Sequence, residues 1–193
     1  MPGAHTTVTV AVDHDGDAAT FGLSQVLCTD GTIPAGYAVP STTNDCDDID
    51  AARQTGCGTC VTRFMAGRTL VACSDLKDHY PAKSACEARD LDLASIHSMD
   101  EVAFIQETIE ILGFPSLPGS NFGMTWIGRF ESPVQWYDGS ALDFAHYLEG
   151  GAQPGNAVGA DGELCVTIRD DARTWDDEDC GGHVHPYLCA SPP

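Results

Sequence analysis

Nine cysteines in 193 residues, at positions 28, 46, 57, 60, 73, 86, 165, 180 and 189, constrain this chain more than any other feature. A set that dense either holds zinc or is cross-linked by disulfides. Zinc ribbons pair two C-x-x-C units, and only Cys57-Gly-Thr-Cys60 has that form here. A disulfide framework formed in an oxidising compartment is therefore expected. The odd count leaves one thiol free or paired between chains. Secretion to the extracellular side follows as an expectation. The N-terminal MPGAHTTVTVAV has neither the basic start nor the apolar stretch of a signal peptide, so the leader is not present in this sequence.

Charge narrows the partners. Nine Lys+Arg stand against 29 Asp+Glu, for a net −20. Such a surface repels phosphate backbones, so nucleic acid is not expected as a partner. No stretch approaches the roughly 20 apolar residues that span a bilayer. Some acids are clustered, as in Asp13-His14-Asp15-Gly16-Asp17 and Asp45-Cys46-Asp47-Asp48-Ile49-Asp50. Clusters of this kind read either as cation sites or as solvated acidic loops.

Residues 6–12 alternate small or polar residues with Val and predict a strand. Gly, Pro, Thr and Asp then punctuate the chain to about residue 56, with too few apolar residues for an independent core. This sets a first module at 1–56 and a second at 57–193. In the second, two short strands flank Ala66-Gly67 and a helix is predicted over 80–88. Another helix begins at Ser98, where Glu101 completes a capping box. Val102, Ile105, Ile109 and Leu112 keep helical spacing up to Gly113, a natural C-cap. Short strands are predicted at 125–128, 134–137, 164–168, 174–175 and 187–189. The Gly-rich stretch 146–162 between them is long enough to suggest a functional loop.

From Cys73 onward the ordered motifs resemble a C-type lectin. They are His79-Tyr80-Pro-Ala82-Lys-Ser-Ala-Cys86, Leu93-Ala-Ser95-Ile-His97-Ser98, Trp126-Ile127-Gly128 and Trp136-Tyr-Asp138-Gly139-Ser140. Gln153-Pro154, Glu163-Leu-Cys165-Val166, Trp175-Asp176-Asp177, Cys180 and Pro186-Tyr187-Leu188-Cys189 complete the series. The resemblance implies an α+β fold of two helices, short antiparallel strands and a long irregular loop. It also implies bridges Cys86–Cys189 and Cys165–Cys180, with Cys60–Cys73 as an N-terminal hairpin bridge for which Cys57 competes. Residues 8–56 resemble the metal-binding motif repeats of bacterial secreted proteins (MopE-type). The residues that carry this are Asp13-His-Asp15-Gly16-Asp17, Cys28, Pro34-Ala35-Gly36-Tyr37 and Asp45-Cys46-Asp47-Asp48-Ile-Asp50. That resemblance implies a Cys28–Cys46 bridge and leaves Cys57 as the odd thiol.

Calcium (Ca2+) takes about six to eight oxygen ligands. The spacing of Asp13, Asp15 and Asp17, with Asp45, Asp47, Asp48 and Asp50, suits one such brace; it is not an EF-hand, because no Glu closes a twelve-residue loop. The lectin resemblance implies a second site of Gln153, Asn156, Glu163, Asp176 and Asp177, where sugar hydroxyls complete the calcium shell. Gln at the first position is similar to the galactose-type signature. The third position of that tripeptide is Gly155, without a side-chain oxygen, and Asn156 follows it. Trp126, Trp136 and Trp175 read as core residues or as sugar-stacking platforms. His183 and His185 read as exposed loop histidines or as a zinc-binding H-x-H. Ser95 and His97 lack a nucleophile-elbow pattern, and no enzyme activity is expected.

Two functions follow. One is calcium-dependent recognition of extracellular glycan or another cell-surface ligand. The other is a structural role in a sheath, fibre or adhesin, the chain assembling with itself through the Val-alternating strand at 6–12 as an exposed edge, with the odd cysteine and the cation-filled acidic loops; calcium then braces the fold without sugar.

Overall fold

The computed structural model describes residues 6–13, 16, 18, 21–29, 31–40, 59–65, 67–114, 123–130, 135–147, 163–169 and 174–193. The chain forms two compact units, Met1–Phe64 and Met65–Pro193.

In the first unit, β1 (Thr6–Val12), β2 (Phe21–Thr29) and β3 (Tyr37–Ala38) form a sheet of order β2-β1-β3. β1 is where the alternation predicts it. The Gly, Pro, Thr and Asp punctuation predicts turn-rich connection over Phe21–Thr29, and the structure places the nine-residue strand β2 there instead. Its antiparallel register runs from Thr6↔Thr29 to Val12↔Phe21, with an irregularity between Val10 and Val12. Cys28, opposite Thr7, is a free and exposed thiol. This corrects the expected Cys28–Cys46 bridge. Along β2 exposure alternates, with Val26 and Cys28 exposed and Leu27 and Thr29 half-buried, so strand geometry turns the thiol outward. Cys46 and Cys57 lie outside the described residues.

The second sheet has the order β10-β9-β7-β11-β5-β4, with β6 added on β11 and β8 on β7. Its strands are β4 (Cys60–Met65), β5 (Arg68–Lys77), β6 (Asp92–Leu93), β7 (Met124–Phe130), β8 (Gln135–Trp136), β9 (Glu163–Arg169), β10 (Trp175–Asp179) and β11 (His185–Ala190). β11, the last strand, lies between β5 and β7, antiparallel to the first and parallel to the second. The chain end is thereby locked into the middle of the sheet. The bridges Cys86–Cys189 and Cys165–Cys180 are formed. Cys60 and Cys73 are also disulfide-bonded, with their sulfurs within 4.8 Å of each other.

Helix α1 (His79–Glu87) buries His79, Ala82 and Cys86 on one face. Pro81 is tolerated in its first turn, where a backbone N–H has no helical partner to lose. Helix α2 (Met99–Ile111) starts at Ser98, whose hydroxyl accepts from the Glu101 amide. The Glu101 carboxylate reaches back to the His97 amide at 2.6 Å, one residue beyond the usual capping-box partner. Val102, Ile105 and Ile109 are fully buried, as the helical spacing requires.

Trp126, Trp136 and Trp175 are all fully buried core residues. Trp136 and Trp175 meet edge to face at 5.3 Å, a favoured aromatic geometry. Gly128 explains its place in the Trp-Ile-Gly motif. A Cβ there would lie 1.9 Å from the Leu93 carbonyl oxygen, because the Gly128 amide donates to Ala94 at 2.9 Å. Among the described residues, no helix is long and apolar enough to cross a membrane.

Candidate functional site

Two acid-bearing regions of the second unit carry most of its chemistry. The first joins the Ser95-Ile-His97 and Asp138-Gly-Ser140 motifs. Arg68, only 4% exposed, donates to the Ser191 carbonyl at 2.8 Å, the Ser95 carbonyl at 3.3 Å and Ser95 Oγ at 2.7 Å. Its guanidinium is also 3.5 Å from Glu101 and 3.9 Å from Asp138. The hydroxyls of Ser95 and Ser140 both donate to Asp138, as does the Ser140 amide at 2.9 Å. Burial opposes the Asp138 charge. The hydrogen bonds from Ser140 and Ser95, helped by Arg68, outweigh it and hold the carboxyl below its ordinary range. Sequence reading noted the serines, His97 and Asp138 as motif letters, but gave no role to Arg68.

His97 continues this network, with Nε2 3.2 Å from Ser140 Oγ and Nδ1 2.8 Å from Asp143. The order Ser, His, Asp is that of a hydrolase triad. However, the Ser140 hydroxyl donates to Asp138, so its proton is held by a carboxylate instead of being offered to His97. The array ties helix and hairpin together and has no nucleophile poised for attack.

The second region is β10 and its surroundings. Asp176 and Asp177 pair in register with Thr167 and Val166 of β9. Asp177 is 4% exposed. Asp176 bonds Arg169 at 3.0 Å, a contact the sequence reading did not foresee. Glu163 opens β9 with its backbone opposite Asp179. Trp175 accepts the start of the long loop, donating its amide to His146 at 2.8 Å and packing on Phe144 and Tyr147. Gln153 and Asn156 lie outside the described residues. Carboxylate oxygens such as those of Asp176 and Asp177 are hard donors, the class of ligand that calcium prefers. Arg169 already neutralises one of them.

Of the N-terminal acids, Asp13 is described. Its carboxylate accepts from the Gly16 amide at 2.8 Å and the Ala18 amide at 3.3 Å, and so holds the loop itself. Asp15, Asp17, Asp45, Asp47, Asp48 and Asp50 lie outside the described residues.

A third cluster, which sequence reading saw only in part, joins Glu178 of β10 to His183 and His185. His183 Nδ1 is 2.7 Å from Glu178 Oε2. Burial raises the Glu178 pKa against the lowering effect of His183. His185 is fully buried and desolvation lowers its pKa to about 4. His79, which also packs against Trp126, is likewise lowered to about 4 by burial. The Trp126 indole meets both rings edge to face, at 5.1 Å from His79 and 4.7 Å from His185.

Residues 76–191 match the Lectin C-type domain family. The chain is 31% identical to ladderlectin of Oncorhynchus mykiss over 104 residues, 52% of this chain and 50% of that protein. It thus spans about half the length of that curated relative. Among solved structures, it resembles the cow C-type carbohydrate-recognition domain of CD23, determined with a GlcNAc2Man3 oligosaccharide. The TM-score is 0.54 at 24% identity, over 68% of this chain and 93% of that one. It also resembles a calcium-independent type II antifreeze protein, with a TM-score of 0.52 at 21% identity, over 67% of this chain and 90% of that one.

Proposed function

Because this chain belongs to the C-type lectin domain family, we propose that it is a secreted, non-catalytic binding protein that recognises an extracellular glycan or other surface ligand with calcium. The observation that carries this reading is the pair of adjacent carboxylates, Asp176 and Asp177, on β10, whose first residue, Trp175, bonds His146. Gln153, Asn156 and Glu163 complete the proposed calcium shell, and two sugar hydroxyls take its remaining positions. Asp13, Asp15 and Asp17, with Asp45, Asp47, Asp48 and Asp50, form the proposed second calcium brace in the MopE-type module.

A glycan array probed in millimolar calcium and again in EDTA tests the reading. Binding that needs calcium and vanishes in Asp177→Ala supports it. Binding that persists in EDTA removes calcium from the mechanism. No binding in either condition removes the glycan.

A second reading, self-assembly, is favoured by β2. β1 (Thr6–Val12), the edge expected from the sequence, is instead the central strand, paired with β2 and β3, whereas β2 is an edge and carries the exposed Val26 and the free thiol of Cys28. Unpaired strand edges template further strands. Light scattering under calcium titration, with Cys28→Ser alongside, tests this. A strictly monomeric chain at every calcium level rejects it.

A further inference from the structure

The Glu178, His183 and His185 cluster is left over by calcium and glycan recognition. Calcium prefers hard oxygens, whereas two imidazoles and one carboxylate suit zinc and its transition-metal neighbours. The three donor atoms lie within 4.8 Å of one another, close enough for small side-chain rotations to bring them onto one ion. The rings of His183 and His185 lie near each other, with centroids 6.3 Å apart.

The hydrogen bond between His183 and Glu178 gives those two a partner without metal. His185 differs. It is fully buried, and neither ring nitrogen has a hydrogen-bond partner among the described residues. Buried polar atoms are rarely left so, and each one asks for a missing partner. The cradle is also built to hold its shape. Cys180 is bridged to Cys165, and the turn between the ligands is fixed by the Gly181 amide on Asp179 and the Gly182 amide on Asp78, both at 3.0 Å. The His183 side chain is 42% exposed and gives an ion a way in from solvent.

We propose that Glu178, His183 and His185 bind a zinc-class divalent ion, with a fourth position open to water. The ion replaces the proton shared by His183 and Glu178 and satisfies a nitrogen of His185. It cross-links β10, which carries Asp176 and Asp177, to β11.

The test is a cobalt and zinc titration of the full chain in a Cys28→Ser background, which removes the exposed thiol as a competing ligand. One equivalent is expected to bind, with the visible bands of tetrahedral cobalt and a rise in Tm on zinc addition. Excess calcium is not expected to displace it. His183→Ala and Glu178→Gln, both at partly exposed positions that should leave folding intact, are expected to weaken binding by on the order of a hundredfold or more. Absence of uptake overturns the proposal. So does uptake that neither substitution weakens, which would place the ion elsewhere. The glycan result does not bear on either outcome.

Discussion

Asp138 and Asp176 each face an arginine, yet the protein treats them differently. Asp138 has a buried side chain beside Arg68, which is buried too, and it collects two serine hydroxyls and a backbone amide. Asp176 meets Arg169 in the half-exposed zone, 16% and 29% accessible, among Asp177, Glu178 and Asp179 of the same strand. An acid whose lone pairs are used up by its own fold is structural. A run of acids with a single arginine among them has capacity left for a cation. Motif letters show the acids but not which arginine meets each of them.

Breaking the internal set should have the largest effect. Arg68→Met strands Asp138 and Glu101 without their buried cation, and about 3–5 kcal/mol of stability should be lost in urea unfolding. A loss below about 1 kcal/mol would show that the network is incidental. His79 sharpens the contrast, as a buried group packed against Trp126, Tyr80 and Tyr137 whose charge is disfavoured by burial first and by Lys83 as well. Its pKa is lowered to about 4, so its contribution is complete above the unfolded value of about 6.5 and is lost as pH falls towards 4. That loss should total about 3 kcal/mol and flatten in His79→Phe, measured by denaturation across the window.

Asp138→Asn is the next test. The depressed pKa means that the charged carboxylate stabilises at neutral pH, with the benefit lost only as pH falls below about 3.8 and through the folded value. The substitution should cost about 2 kcal/mol at pH 7, and the deficit should close in acid. An equal deficit at all pH values would assign the effect to packing. Arg169→Gln gives the smallest effect. Freeing Asp176 from a partly exposed ion pair is worth less than about 1 kcal/mol, so calcium affinity should rise by roughly two- to fivefold in calorimetry. An unchanged affinity would mean that Asp176 is not a ligand.

Much of the second unit could be read from the chain because local rules and core packing agree there. Ser98 and Glu101 cap α2, and the three tryptophans fill the core. Gly128 stands where backbone meets backbone. The first unit was harder. β2 has few turn residues but lies among many, and its length comes from pairing with β1, which no window of sequence contains. Cys28 shows the same limit: cysteine count predicts bridges, but the strand's alternation decides which way a thiol points.

The sequence by itself determined the family architecture, the helix starts, the core aromatics and the acids available for a cation. These are local or periodic properties. Only the tertiary structure decided which acids remain available. Arg68 meets Ser95 across 27 residues and Ser191 across 123, and Glu178 meets His183 across a turn closed by a disulfide to another strand. Charge neutralisation and ligand convergence depend on distances of a few ångströms, and those are set by strand order and register.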